Sequence, residues 1–164
     1  MAGLIKPSDL LIVEPSAGTG QIARHLPAGA LCIENNSCRC SIGAEVVPIH
    51  RWMLGDFLDA SRDELGVPHG ADLVIGNPPF SLWTDFLLHS LTLVRPEGRV
   101  IFLGPCDQFH KPTELDRLGR WKDRIKVIPH PIVGRVAYLK NGVPVSGRQI
   151  YDSIFEVTQV LGVA

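Results

Sequence analysis

Three short runs carry an apolar side chain at every position: Leu10-Leu11-Ile12-Val13, Leu73-Val74-Ile75 and Val100-Ile101-Phe102-Leu103. A strand with one wet face alternates apolar and polar residues. A strand apolar throughout must be covered on both faces, the situation of interior strands in a parallel sheet. Parallel neighbours need long crossovers, so the intervening segments should hold helices. Ala30-Leu31-Cys32-Ile33 and Ile125-Lys126-Val127-Ile128 read as further strands. Val46-Val47-Pro48-Ile49 reads as an edge strand, since its proline cannot donate to a ladder.

The helix signals fall between these runs. Thr19 to Leu26 lies between a glycine turn and Pro27. Ser81 to Val94 sets Leu82, Trp83, Phe86, Leu87, Leu91 and Val94 on one stripe, with Ser81 as N-cap and Arg95-Pro96 as the stop. Leu115, Leu118 and Trp121 mark a thinner third helix. Near the C-terminus, Asn141-Gly142 between apolar runs predicts a tight hairpin, and Ile150 to Val157 a last strand. The pattern is an α/β sheet with an antiparallel element at one edge, read as a single domain over residues 1–164.

Composition narrows the class. With 45% hydrophobic and 20% charged residues, the 164-residue chain has globular values and enough length for a real core. No apolar run is long enough to span a membrane, and the first ten residues lack the stretch of a signal peptide, so a cytoplasmic chain with reduced thiols is expected. Cys32, Cys38, Cys40 and Cys106 read as small hydrophobes, because no second close pair completes a zinc site beside Cys38 and Cys40. Net charge is −1, but it is unevenly spread. Residues 107–150 hold nine Lys/Arg against four Asp/Glu, while residues 1–106 hold seven against eleven. Arg117, Arg120, Lys122, Arg124, Lys126, Arg135, Lys140 and Arg148 are thus candidate phosphate contacts on a mildly acidic body.

Four stretches could carry chemistry. Glu14-Pro15-Ser16-Ala17-Gly18-Thr19-Gly20 follows a strand, and its glycines let backbone approach a ligand at exposed N–H groups. Glu34 ends the next strand, where a carboxylate can accept from both hydroxyls of a ribose. Asp56-Phe57, in Gly55-Asp56-Phe57-Leu58, pairs a hydrogen-bonding acid with a ring able to pack on a purine. Asn77-Pro78-Pro79-Phe80 follows a strand at its carboxyl end, where open α/β sheets bind ligands. Its two prolines fix φ and remove two donors, Asn77 adds an accepting oxygen and Phe80 a flat face. That is a rigid cup for a planar group bearing –NH2.

These pieces, in this order, resemble the S-adenosylmethionine-dependent amino-methyltransferases, above all the DNA adenine-N6 group. The resemblance covers residues 10–104 well. It implies a Rossmann-like class I methyltransferase sheet, mostly parallel with one antiparallel C-terminal strand and helices on both faces. It implies S-adenosylmethionine as cofactor, held by Glu14, Ser16, Ala17, Gly18 and Gly20, by Glu34 and Asn35, by Asp56 and Phe57, and by Asn77. It makes Asn77, Pro78, Pro79 and Phe80 the catalytic residues, with no metal. The implied reaction is methyl transfer to the N6 amine of adenine in DNA. The alternatives are amino-methylation of adenine or guanine in ribosomal RNA, or of a glutamine amide in protein. A further alternative is a catalytically silent cofactor-binding subunit.

The chain also departs from that family. About nine residues precede Leu10, so neither the usual extra N-terminal element nor a separate target-recognition domain is expected. Sequence preference should be relaxed or short. The hairpin at Asn141-Gly142 is the expected reader, or a second copy or partner subunit completes the site. A compact, phage-like or restriction-modification enzyme fits these departures.

Overall fold

The structure is a computed structural model that describes residues 1–132, 139–140, 143–144 and 152–160, with backbone alone at 131, 139–140 and 143–144. The hairpin tip at Asn141-Gly142, together with Arg135 and Arg148, lies outside the described residues.

Strands β1 (Ile12–Pro15), β2 (Leu31–Glu34), β3 (Arg51–Leu54), β4 (Ala71–Gly76), β5 (Val94–Pro105), β6 (Ile125–Pro131) and β9 (Asp152–Gln159) form one seven-stranded sheet, ordered β3-β2-β1-β4-β5-β9-β6. From β3 to β5 every pairing is parallel, and β9 runs antiparallel to both β5 and β6. The all-apolar runs supply its centre, where every residue of β1, β2 and β4 is buried, except that Leu10 and Leu11 precede β1 and are exposed, because the strand starts at Ile12. Two-residue strands β7 (Leu139–Lys140) and β8 (Val143–Pro144) pair antiparallel, with Lys140 opposite Val143, as the Asn-Gly signal predicts.

Alternation along the strands assigns two faces. The front holds Val13, Leu31, Ile33, Val74, Val100, Phe102, Phe155 and Val157. Helices α2 (Arg62–Leu65), α3 (Trp83–Leu93) and α4 (Pro112–Leu118) cover it. Trp83 is 1% exposed, packs edge-on against Phe102, Phe109 and Phe155, and donates its indole N–H to the Leu103 carbonyl at 2.8 Å. Gly104 is glycine for this reason: a Cβ there would overlap the Trp83 indole.

The back is thinner. Its apolar residues form two small groups, one around Ile12, Leu73, Ile75 and Ile101, the other around Ala17, Ala23, Cys32 and Val47 with half-buried Trp52. Helix α1 (Ser37–Val46), a 3-10 turn at Ala23–His25 and residues Met1, Leu4 and Ile5 cover them. Among these lie buried charges. Arg99, 4% exposed, donates to Asp9 at 2.6 Å, Glu156 at 2.9 Å and the Leu4 carbonyl at 3.0 Å, and His130 meets Glu156 at 3.0 Å.

Several sequence expectations change. The helix expected over Thr19–Leu26 is only the 3-10 turn, because Gly20 sits at φ +86° and Pro27 follows, leaving too few residues to nucleate an α-helix. Val46-Val47-Pro48-Ile49 is not a strand: Val46 ends α1, Val47 is its C-cap, and the edge strand is Arg51–Leu54. Ser81 does not cap α3; it lies in a 3-10 turn, Phe80–Leu82, closed by Leu82 N–H on the Pro79 carbonyl at 2.9 Å. Pro96 ends no helix but lies inside β5, where the register to β4 shifts. Cys32 and Cys40 are buried, while Cys38 and Cys106 are exposed. Among the described residues no helix is long and apolar enough to cross a membrane, and no His/Cys/Asp/Glu group could hold a metal ion.

Candidate functional site

The loops after β1, β2, β3 and β4 all open at one end of the sheet and enclose a cleft of about 360 Å³. Its lining includes Ser16, Gly18, Glu34, Asn35, Asp56, Phe57, Asn77, Pro78, Pro79 and Phe80. Four segments separated by up to sixty residues of sequence are brought together by parallel strand order alone.

Ser16 stands at φ +53°, the one non-glycine residue with positive φ among the described residues. Such a conformation costs on the order of 1–3 kcal/mol and tends to persist at functional sites. Its hydroxyl donates to the Pro15 carbonyl at 2.6 Å and reaches the Asn77 carbonyl at 3.4 Å, so the glycine loop touches the proline loop. Glu34 is 3% exposed, and both its oxygens are held by backbone: Gly18 N–H donates to Oε2 at 2.8 Å and Asn36 N–H to Oε1 at 2.9 Å. Each carboxylate oxygen keeps a second acceptor site for a ligand hydroxyl. Asp56 caps the 3-10 turn Phe57–Asp59, taking Leu58 N–H on Oδ1 at 2.9 Å, which leaves Oδ2 without a partner among the described residues. Phe57 is 2% exposed, fixed between Phe86, at 5.2 Å, and a roughly perpendicular His89, at 4.9 Å, so little of its ring is left for a ligand.

In the proline loop, Pro78 is buried, Phe80 half-buried and Asn77 exposed to the cleft. Phe80 packs partly on the front core, with part of its surface left in the cleft. Among the described residues, the Asn77 side-chain amide has no hydrogen-bond partner and the Pro78 carbonyl accepts no backbone hydrogen bond. Two acceptors, one on exposed Asn77 and one on buried Pro78, are therefore left without a partner among the described residues of the cleft lining.

Not every expected residue is there. Glu14, Ala17 and Gly20 do not line the cleft. Glu14 lies on the back face by the alternation of β1, 1% exposed, with the Cys32 thiol at 3.9 Å as its partner. Burial pushes its carboxyl up to about 8 and raises the Cys32 thiol as well. Ala17 and Gly20 shape the loop from behind: Ala17 packs with Cys32, and a Cβ on Gly20 would collide with Val47. Arg117 is committed elsewhere, to Asp85 at 2.5 Å and Glu114 at 3.1 Å. Arg120, Lys122, Arg124 and Lys126 are exposed but lie before and at the start of β6, away from the cleft. Conversely, Ile33, Arg39, Gly55, Leu82 and Phe86 line the cleft without having been expected there. Arg39 sits in the first turn of α1, its N–H held by the Asn36 side chain that caps the helix, and that cap was a readable signal for it.

No family model matches the chain, and no curated protein does either. Solved structures do. A TehB-like SAM-dependent methyltransferase from Corynebacterium glutamicum superposes with a TM-score of 0.60 at 13% identity, over 94% of this chain and 83% of the other. An rRNA methylase from Streptococcus thermophilus gives 0.61 at 10% identity, over 97% and 91%. A ribosomal protein L11 methylase from Lactobacillus delbrueckii subsp. bulgaricus gives 0.61 at 11%, over 95% and 72%. The fold is the Rossmann-like one these methyltransferases share. Their names span RNA and protein substrates, so the fold alone does not choose an acceptor.

Proposed function

We propose that the protein transfers a methyl group from S-adenosylmethionine to an exocyclic amine of a nucleic-acid base, the N6 amine of adenine in DNA. The observation that carries this is the open acceptor pair, Asn77 and the Pro78 carbonyl, in one cleft with Glu34, Asp56 and Phe57. The cleft volume of about 360 Å³ suits a small-molecule site. Glu34 would take the ribose hydroxyls, Asp56 and the small exposed part of Phe57 the adenine edge and face, and Ser16 and Gly18 the amino-acid end. The bound cofactor would supply an electrophilic methyl.

The chain's own residues would do the rest. The amine of adenine is a weak nucleophile because its lone pair is spread into the ring. The Asn77 oxygen and the Pro78 carbonyl would each accept one amine hydrogen, drawing the nitrogen toward tetrahedral geometry and freeing the lone pair. As the new N–C bond forms, the methyl's bond to sulfur would break and leave a neutral thioether; positive charge growing on nitrogen meets acceptors already in place, and the surplus amine proton would then pass to solvent, so no strong base is needed. Phe80 would stack on the target base, which must leave its duplex to reach the cup. The connection between β6 and β9 leaves and returns at this same end of the sheet, since Pro131 is opposite Ser153 and Asp152 is opposite Pro105. Its sequence, residues 132–151, holds Arg135, Lys140 and Arg148 and no acid, which favours a polyanionic acceptor over a protein amide.

The RNA reading stays as a second, because solved structures named as rRNA methylases share the fold. Calorimetry with S-adenosylmethionine, followed by labelled-methyl transfer to unmethylated duplex DNA, structured RNA and a glutamine-bearing peptide, tests the proposal. Transfer to DNA that falls about 100- to 1,000-fold in Asn77→Ala, with cofactor affinity retained, is the expected result. Transfer to RNA alone reassigns the acceptor. Wild-type turnover in Asn77→Ala removes the mechanism.

A further inference from the structure

Lys126 stands near the start of β6, level with Thr158 of β9, Arg99 of β5 and Leu73 of β4. Asn77 follows Leu73 by four positions. At roughly 3.3 Å per residue and 4.8 Å per strand, the cup lies about 13 Å further along the strands and about 14 Å across three of them, a separation of about 20 Å. Arg124, Lys122 and Arg120 precede Lys126 in the turn and 3-10 helix that lead into β6, on the side away from the cup.

These four cations fall within seven consecutive residues. All are exposed, and none makes an ion pair among the described residues. Arg95, Arg99, Lys111 and Arg117 are all paired with carboxylates. Asp123 is the one acid within residues 119–126. The charge is held in place: Arg120 lies over the half-buried Trp121 ring at 5.5 Å, and Val160 N–H donates to the Arg124 carbonyl at 2.8 Å. Clustered cations at the start of an edge strand are a footprint for a phosphodiester backbone, yet they are too far from Asn77 to touch the phosphates flanking a target base.

We propose that residues 120–126 form a distal contact for the backbone of duplex DNA, engaged only when the duplex extends from the cup to the start of β6. This rests on the nucleic-acid reading above. About 20 Å of duplex is roughly six base pairs. A substrate shorter than that on either side of the target base would be held by the cup end alone.

The test uses the full chain and the triple variant Lys122→Gln/Arg124→Gln/Lys126→Gln, with stems of six and twenty-four base pairs closed by a hairpin and the target adenine central. Fluorescence anisotropy over a salt series gives affinity, and methyl transfer is followed on the same stems. The expected result is about ten-fold weaker binding of the long stem, a salt slope shallower by nearly three, and no change on the short stem. Turnover at saturation should match wild type on both. Equal losses on the two lengths, or no loss on the long one, would overturn the distal contact. Length-dependent loss on a structured RNA, with none on DNA, would overturn its assignment to duplex DNA. Length-dependent binding without methyl transfer to any acceptor would sink the proposed reaction and leave the distal contact standing, so the two failures are distinguishable.

Discussion

The two faces of the sheet are held by different physics. The front is aromatic and aliphatic, with Trp83, Phe86, Phe102, Phe109 and Phe155 packed under three helices. The back has less apolar surface and places Arg99, Asp9, Glu156 and Glu14 where the front places rings. Apolar burial is non-directional and nearly indifferent to pH. Buried charges depend on every partner being present, and they answer to protons. The cleft lies where the two meet: Phe57 and Phe80 rest on the front, while the loop of Ser16 and Gly18 closes over the back.

The sharpest test of the contrast pairs one substitution on each face. Trp83→Ala should cost about 3–5 kcal/mol in denaturant unfolding, the range for an aromatic removed from a core. Arg99→Met should cost a similar 3–5 kcal/mol, because Asp9 is left buried, and Glu156 half-buried, without their cation. The faces separate in the rescue. The triple variant Asp9→Leu/Arg99→Met/Glu156→Leu should recover to within about 2 kcal/mol of wild type, since removing a whole ion cluster also removes its desolvation cost. No second substitution should rescue Trp83→Ala in this way. A triple variant as unstable as the single one would show that the cluster is held by shape rather than charge.

A smaller effect comes with pH. Burial raises Glu156, but hydrogen bonds from Arg99 and His130 and the pull of Arg99 and Lys6 outweigh it, so its carboxyl sits below the usual range. Its contribution is present at neutral pH and is lost as pH falls through the carboxylate range. Glu14 has the opposite sign. With its carboxyl raised from 4.5 to about 8 by burial, the unfolded chain releases that proton first, so stability declines as pH rises between those values. Thermal melts of wild type and Glu14→Gln from pH 4.5 to 8.5 should converge at the acid end, with the variant more stable at the alkaline end. Parallel curves would mean that Glu14 is ionised inside the fold.

The smallest expected effect is at the seam. Ser16→Gly should raise stability by about 1 kcal/mol or less, because the positive φ no longer strains a side chain. It should also lower turnover more than cofactor affinity, since the contact to the Asn77 carbonyl is lost. A destabilised Ser16→Gly would show that the hydroxyl contributes more than the backbone strain costs.

What the sequence disclosed follows the same division. The central strands were legible as continuous apolar runs serving both faces, and the cover of the front was legible in the clean stripe of α3. The four motif loops were legible because prolines, glycines and acids at strand ends have few other uses. The back was not. Helix α1 has no apolar stripe in Ser37–Val46, with only Cys40 and Gly43 buried, so periodicity gives no signal. The capping box of Ser61 and Glu64 marks the start of α2, but four residues are too few to show a helical period. Glu14 was placed with the cofactor because its motif resembles a binding loop, whereas strand alternation turns it behind the sheet. The basic stretch was legible as charge, but only strand register shows that part of it lies far from the cup.

The three tryptophans fall one to a district: Trp83 under the front helices, Trp52 at the back beneath α1, and Trp121 beside the unpaired cations. The chain thus carries its own set of optical probes. Replacing two indoles at a time would give emission spectra that report separately on core, thin side and polyanion footprint. A titration could then be followed in each place without attaching any dye.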